Sequence, residues 1–378
     1  MTRTPTRRPR ITSAVGATLA LAVSALGAPP AQAAPASSSV VAVAVGADGR
    51  LYSSLIPAAP NPVPTNGVIA PPGAGISAAA QANGGLAVFT IGTQGGLVAG
   101  RPNPASGIGL VFFADGPSNL APPGGNVTAL SSLSDIHVFF AGYDGAIYHT
   151  RYYQLVGPGS GPRAITPVGI ARPGAPVAAV LLPNRTPAAV FAGTNGALFA
   201  LTAPNGTWTT RQISPTGVTT PGSTVAAATT ATGADVFFTS PDGALLATAL
   251  SAASVTPPWQ YQVISGPGTL PAGARPVAAR LPNGTLEVAF AGQDGALWTA
   301  SNASGNWSAP QAATQPGIIA TTAPISLTIA DEFLWVAWCG NDEVWIFGKR
   351  WPVPPRWDVY RVTAFSFRVG AGIALVTL

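Results

Sequence analysis

Acidic and aromatic side chains recur together in this sequence, three or four residues apart. A carboxylate accepts hydrogen bonds from hydroxyl groups, and an aromatic ring offers a flat apolar face. Such a pair suits a sugar, whose C–H face stacks while its hydroxyls need polar partners. The candidate ligand-binding pairs are Asp48 with Tyr52, Asp144 with Tyr148, Asp294 with Trp298, and Asp342 with Trp345.

A structural role explains the same pairs. An Asp beside a Gly is typical of tight turns, because its side chain can hydrogen-bond to the turn's own backbone. An aromatic residue shortly after such a turn often packs in the core. The corresponding segments at Gln94 and Asp242 lack the aromatic residue and are therefore expected not to bind a ligand. Both readings of the complete pairs stay open at this point.

The turns that carry these residues mark an internal repeat of 47 to 52 residues. An Asp-Gly pair between two apolar runs predicts a β-hairpin with a type I′ turn, in which both central residues have positive φ. The repeat length is that of one four-stranded propeller blade. The seven turn markers are Gly49, Gly96, Gly145, Gly196, Gly243, Gly295 and, in a degraded copy, Glu343.

Seven repeats predict an all-β fold, a seven-bladed β-propeller of four-stranded antiparallel blades. The first repeat enters directly at a second strand, Val40 to Val45, whereas the last residues, 372–378, have the pattern of an innermost strand. We therefore expect the C-terminal strand to complete the first blade and close the ring, which removes exposed strand edges.

The order of strands also predicts where a ligand would bind. In a four-stranded meander, the second-to-third turn and the linker to the next blade lie on the same face. The Asp-Gly turns and the Pro/Gly-rich linkers, such as Leu120-Ala-Pro-Pro-Gly, should therefore converge on one rim, beside the grooves between blades. Loops on a rigid scaffold commonly carry binding residues.

The sequence Phe-x-x-Gly-x-Asp-Gly-x-Leu-Trp, best preserved at 139–148 and 290–298, and the Pro-Gly linker before each blade resemble the bacterial seven-bladed propeller lectins (PLL-like). A more distant similarity is to tachylectin-type and fungal fucose-binding propellers. The resemblance covers about residues 38–378. It implies non-catalytic sugar sites in inter-blade grooves on one face, with glycans as partners and fucose-type sugars as the suspected ligands.

The sequence has few residues that could act together in catalysis. Five of the 13 acidic residues belong to the hairpin turns, and the others are scattered, whereas glycoside hydrolysis needs a paired acid and nucleophile or base. His137 and His149 are expected to be ordinary strand residues, and Cys339 a buried structural thiol. We therefore expect no enzyme, no cofactor and no metal. A protein-interaction propeller and, less favoured, a glycosidase- or lyase-type propeller are the alternatives.

Residues 1–34 have the pattern of a secretory signal peptide, with arginines at the start, an apolar stretch and a small-residue cleavage site at Ala31-Gln32-Ala33. This predicts a secreted protein with one propeller domain at 35–378, and leaves Sec and twin-arginine export open. Four of the 18 basic residues lie in this segment, which leaves 14 basic against 13 acidic side chains. The nearly balanced charge disfavours nucleic acid as a partner, and no later stretch is long and apolar enough to predict a membrane span.

Overall fold

The computed structural model describes residues 40–56, 63–64, 67–81, 85–102, 110–153, 159–251, 259–303, 305–330, 333–339, 344–350, 357–362 and 373–377. Every regular element in these ranges is a β-strand, and we number the strands β1 to β28 in chain order. None of the described segments is a helix of the length and apolarity that a membrane span requires. The expected signal peptide lies outside the described residues.

The strands form seven four-stranded sheets in which all neighbours are antiparallel. The innermost strands are Ile76–Ala80 (β4), Val127–Ser131 (β8), Val177–Leu181 (β12), Val225–Thr229 (β16), Val277–Arg280 (β20), Ile325–Ala330 (β24) and Ile373–Thr377 (β28). The second strands are Val40–Val45 (β1), Leu86–Ile91 (β5), Asp135–Ala141 (β9), Pro187–Ala192 (β13), Gly233–Thr239 (β17), Leu286–Ala291 (β21) and Phe333–Cys339 (β25).

The remaining two strands of each sheet lie farther from its innermost strand. The third strands are Leu51–Ile56 (β2), Leu97–Pro102 (β6), Ile147–Tyr153 (β10), Leu198–Thr202 (β14), Leu245–Ser251 (β18), Leu297–Asn302 (β22) and Val344–Arg350 (β26). The outer strands are Val63–Pro64 (β3), Leu110–Asp115 (β7), Arg163–Ala164 (β11), Thr209–Gln212 (β15), Gln262–Val263 (β19), Gln311–Ala312 (β23) and Trp357–Val362 (β27).

The core lies between neighbouring sheets. Seven apolar clusters are described, and each joins two successive sheets. The second strands are mostly apolar on both faces because each face packs against a different sheet; in β1 all six residues are buried. Cys339 ends such a strand, and burial raises the pKa of its thiol to about 12. The prediction of a buried cysteine is confirmed.

The innermost strands lie side by side in chain order, and β28 lies beside both β24 and β4. The first sheet combines the two ends of the described chain, because β28 pairs with β1 and aligns Ala374 with Val43. The prediction of an all-β propeller built from four-stranded antiparallel blades is confirmed.

The type I′ prediction for the hairpins is wrong. In the first hairpin, Gly46 N donates to Arg50 O at 2.8 Å and Gly49 N donates to Gly46 O at 3.0 Å. Gly49 has a φ of 75°, whereas Asp48 is not among the residues with positive φ. This pattern is a three-residue loop with a left-handed glycine at its end. In the second repeat the left-handed glycine of the loop is Gly95, one residue before the marker that the sequence spacing used.

The Asp-Gly loops are hydrogen-bonded to the linkers that follow their own sheets. In the third sheet, Gly169 N donates to Asp144 O at 2.8 Å and Ala171 N donates to Gly145 O at 2.9 Å. A Cβ on Gly145 would lie 2.5 Å from Ala171 O, so both the positive φ and the close approach require glycine. The predicted convergence of turns and linkers on one rim is confirmed.

Deletion of residues 372–378 is expected to abolish cooperative folding. The deletion removes β28, which supplies the backbone partner of β1 and the neighbour of β4 and β24, and leaves the apolar β1 as an open edge. Thermal unfolding followed by circular dichroism would test this. A truncated chain that melts cooperatively within a few degrees of the full-length chain would contradict it.

Candidate functional site

Two Asp–Tyr pairs that the sequence singled out are hydrogen-bonded within their own hairpins. Tyr52 OH donates to Asp48 Oδ2 at 2.8 Å, and Tyr148 OH donates to Asp144 Oδ2 at 3.0 Å. The other oxygen of each carboxylate accepts a backbone N–H of the loop, from Arg50 and Ala146 respectively, at 3.0 Å. Burial, and then the bond to Asp144, raise the pKa of Tyr148. Both pairs therefore brace their turns.

The pair in the sixth sheet follows the same plan. Trp298 Nε1 donates to Asp294 Oδ1 at 3.0 Å, and a Cβ on Gly292 would lie 2.5 Å from the indole ring. The aromatic ring thus covers the glycine that opens the loop. Asp342 lies outside the described residues, and Trp345 lies in β26, where only the backbone is described. Sugar contact by these pairs stays a prediction.

A groove lies between the third and fourth sheets, on the rim opposite to the Asp-Gly loops. Its cavity has a volume of about 620 Å³. The turns that connect first to second strands and third to outer strands surround it. The polar and aromatic side chains that line it include Asp135, His137, His149, Arg151, Arg163, Arg185 and Trp208.

A chain of ring hydrogen bonds crosses this groove. Trp208 Nε1, which can only donate, lies 3.2 Å from His149 Nδ1, and His149 Nε2 lies 3.0 Å from His137 Nδ1. His149 must therefore accept on Nδ1, carry its proton on Nε2 and donate to His137. The rings of His137 and His149 are nearly parallel, with 18° between their planes, and meet edge to edge with centroids 5.2 Å apart. Both imidazoles are held neutral by this arrangement.

The electrostatic environment favours the same protonation state. Burial, the charge of Arg151 and the neighbouring His137 lower the pKa of His149 to about 3, with burial the largest cause. Burial also lowers the pKa of His137, and the charge of Asp135 only partly opposes this effect. Near neutral pH the two histidines therefore act as hydrogen-bonding groups without charge.

Asp135 supplies the carboxylate among the side chains that line this groove. Its Oδ2 lies 3.8 Å from Arg151 Nη1, while its Oδ1 is buried without a hydrogen-bond partner in the described part of the chain. The Arg151 guanidinium also lies over the Tyr153 ring, 4.7 Å from the centroid. The groove thus offers an indole, a carboxylate and guanidinium donors.

The groove between the fifth and sixth sheets repeats part of this design. Trp307 occupies the place of Trp208, and its Nε1 donates to Gln262 Oε1 at 3.0 Å. Each indole packs edge-on against a phenylalanine of the preceding sheet: Phe237 for Trp307, at 5.4 Å, and Phe139 for Trp208, at 5.3 Å. An indole that bridges two sheets therefore recurs in the ring.

One position of the second strand, five residues before the loop, carries polar groups in three sheets. It holds His137 in the third sheet, Asp235 in the fifth and Glu287 in the sixth. Burial raises the pKa of Asp235. Sequence reasoning took His137 for an ordinary strand residue and the two acidic residues for scattered ones, because it followed the conspicuous turns. Alignment of the repeats on the left-handed glycine of the loop would have placed all three in one column.

A smaller cavity of about 200 Å³ lies on the Asp-Gly rim, between the fifth and sixth sheets. Asp242, Ser240 and Gln293 line it. The sequence made this repeat one of the two expected not to bind, because Leu246 replaces the aromatic residue. Where no ring covers the loop, the first loop position also tolerates Ser240 in place of glycine.

Comparison with known proteins rests on structure. No protein-family model matches the chain, and no curated protein matches its sequence. Among solved structures, the BP39L lectin from Burkholderia pseudomallei is similar with a TM-score of 0.75 and 22% identity, over 86% of this chain and 94% of that chain. The likeness establishes the propeller fold.

Two fungal proteins extend this similarity at lower identity. AofleA from Arthrobotrys oligospora has a TM-score of 0.59 and 12% identity, over 82% of this chain and 91% of that chain. The Aleuria aurantia lectin, described as a six-bladed propeller that recognises fucose, has a TM-score of 0.50 and 13% identity, over 79% of this chain and 96% of that chain. The part of this chain that aligns with the Aleuria aurantia lectin, 79% of its length, is about as long as six of its seven repeats.

The neutral histidine pair predicts loss of stability in mild acid. Because the unfolded chain binds protons below pH 6.5 and folded His149 does not, the free energy of unfolding should fall by about 2 kcal/mol from that residue between pH 7 and pH 5. Urea unfolding at the two pH values measures the fall, and His149→Gln should reduce it. The charged groups that face the histidine pair are Asp135 and Arg151. An equal fall in both proteins would contradict the prediction.

Proposed function

We propose that this chain is a secreted carbohydrate-binding protein whose non-catalytic sugar sites lie in grooves between the blades. The observation that carries the proposal is the groove between the third and fourth sheets. Trp208 offers an apolar ring edge-packed on Phe139, while Asp135 and the arginines supply an acceptor and donors for hydroxyl groups. This combination of one aromatic face with convergent polar groups is the chemistry of a sugar site.

The similar solved structures support the proposal. BP39L is described as a lectin, and the Aleuria aurantia lectin has been solved with α-methyl-L-fucoside. A fucose-type sugar is therefore the first ligand to test here. Secretion rests on the signal-peptide pattern of residues 1–34, with the propeller domain at 35–378.

We also propose that the seven sheets are the blades of one ring, closed by the pairing of β28 with β1. The sequential contacts of the innermost strands and the apolar clusters between successive sheets support this. A ring of this kind presents several grooves on one face. Single shallow sugar sites bind at about millimolar affinity, or about −4 kcal/mol, and several sites together raise avidity on a multivalent surface.

The Asp–aromatic pairs Asp48/Tyr52, Asp144/Tyr148 and Asp294/Trp298 are a second candidate set on the other rim, and the sequence adds Asp342/Trp345 to them. In the three described pairs, the exposed carboxylates support sugar contact, while the hydrogen bonds within the hairpins support a bracing role. The groove residues and the Asp–aromatic pairs lie on opposite rims, so a single substitution tests one set without altering the other.

Trp208→Ala is expected to weaken glycan binding about tenfold or more, or ~1.4 kcal/mol, because it removes the apolar face of the groove. A glycan array followed by calorimetry with the best ligand measures the loss. Trp208→Phe keeps an apolar contact with Phe139 and is included to show that the fold survives substitution at this position. Asp144→Asn on the opposite rim is the matched control and should bind within about twofold of the wild type.

The opposite result, with binding lost in Asp144→Asn and kept in Trp208→Ala, would move the site to the Asp-Gly rim. Absence of binding to any glycan on a dense array would contradict the proposed function. Failure of free monosaccharide to compete the protein from its target would favour the protein-interaction alternative.

A further inference from the structure

The groove between the third and fourth sheets has an excess of positive charge. Three guanidinium groups line it, from Arg151, Arg163 and Arg185, against the single carboxylate of Asp135. Arg151 is the one that approaches this carboxylate, at 3.8 Å. Neither Arg163 nor Arg185 forms an ion pair within the described ranges, and both residues are exposed.

The histidines do not alter this balance. The hydrogen bond from Trp208 Nε1 to His149 Nδ1 needs an unprotonated acceptor, and the bond from His149 to His137 needs another. The cationic character of the groove therefore comes from arginine alone, whose guanidinium stays protonated at any pH a protein tolerates.

The backbone at Arg185 points to a role for its side chain. Arg185 has a φ of 64°, a left-handed conformation that strains a residue with a Cβ. The same turn in the sixth sheet has glycine at this place: Leu182-Pro-Asn-Arg-Thr corresponds to Leu281-Pro-Asn-Gly-Thr. The two turns close alike, since Arg185 N donates to Leu182 O at 2.7 Å and Gly284 N donates to Leu281 O at 2.8 Å.

An arginine thus occupies a position that its backbone suits to glycine, at the edge of this cationic groove. The groove between the fifth and sixth sheets differs in charge. Its second strand carries Asp235, its indole bonds to the uncharged Gln262, and Arg280 lies over the turn with its Nε 3.5 Å from Gly284 O. Among these groups, one is a carboxylate and one a guanidinium.

We infer that the groove between the third and fourth sheets selects an anionic saccharide, one that carries a carboxylate or a sulfate group. Arg163 and Arg185 would pair with the anionic group, while Trp208 and Asp135 would hold the sugar ring and its hydroxyls. Guanidinium groups suit this task because their planar donors match carboxylate and sulfate oxygens in pairs. The inference rests on the proposed function and specifies the ligand class for one groove.

Arg185→Gly is the decisive variant, because the sixth sheet shows that glycine fits this turn. Its melting temperature should equal or exceed that of the wild type, since glycine adopts the left-handed conformation without strain. Calorimetry would compare a uronic acid oligosaccharide, a sulfated oligosaccharide and the uncharged parent of each. Wild type should bind both anionic ligands at least about tenfold more tightly than their uncharged parents, with affinity that falls as salt rises. Arg185→Gly should lose most of this preference and keep its binding of uncharged sugar.

Arg275→Gln is the control for anion binding elsewhere. Arg275 precedes β20 of the sixth sheet, lines the axial cavity of about 410 Å³ and donates to Asn126 Oδ1 at 3.2 Å. It is not among the residues that line the groove. This variant should keep the preference for anionic saccharides. If it loses that preference and Arg185→Gly does not, the inference falls.

The remaining outcomes separate the inference from the proposed function. Equal affinity of the wild type for charged and uncharged sugars would overturn the inference and leave the proposed function standing. Absence of binding to every sugar would overturn both. Equally tight binding of inorganic sulfate, or of an anionic polynucleotide, would show attraction to charge alone and would also overturn the inference.

Discussion

The hydrogen bonds between the Asp-Gly loop and the linker that follows it, described in the first six sheets, are the constraint on which the structure depends. The carbonyl of the left-handed glycine, such as Gly145, accepts the N–H of Ala171 at 2.9 Å, and the linker then leads to the next innermost strand. Tyr143 N of the third-sheet loop in turn donates to Leu120 O of the preceding linker at 3.0 Å. Backbone groups at this end of the six sheets are thus satisfied by the neighbouring connections. This fixes the spacing of these sheets and hence the width of the grooves between them.

Apolar packing and polar grooves divide the space between sheets. Toward the Asp-Gly rim, the aromatic residue of the third strand covers the glycine that opens the loop, as Trp298 covers Gly292, and leaves little room for a ligand. Toward the opposite rim, an outer-strand indole reaches across to the preceding sheet and leaves a lined cavity beneath the connecting turns. The scaffold is shared by all repeats, whereas the few side chains at these rims differ from groove to groove. Ligand preference is therefore a property of each groove.

The sequence predicts the fold well because the fold rests on short-range signals. Turn glycines at regular spacing, apolar second strands and Pro-Gly linkers each follow from local backbone chemistry, and they identify a propeller of four-stranded blades. The turn type was wrong because Asp-Gly also suits a three-residue loop, in which Gly49 alone has positive φ. The candidate groove was missed because its walls come from Asp135 and His149, in two strands of the third sheet, and from Trp208, just before the outer strand of the fourth. Their proximity depends on strand register and sheet packing, which no local pattern reveals.

The composition of the first sheet has a consequence for how the chain reaches its native state. Strand β1, Val-Val-Ala-Val-Ala-Val, is fully buried, yet one of its two backbone partners is the last strand of the chain. More than 300 residues separate the two, so their pairing is among the least local contacts in the molecule and is expected to form slowly. Until it forms, an apolar, β-branched edge is open to other chains, the kind of segment that aggregates. Productive folding therefore requires that the other sheets assemble quickly, or that a chaperone shields β1 while the C-terminal strand arrives.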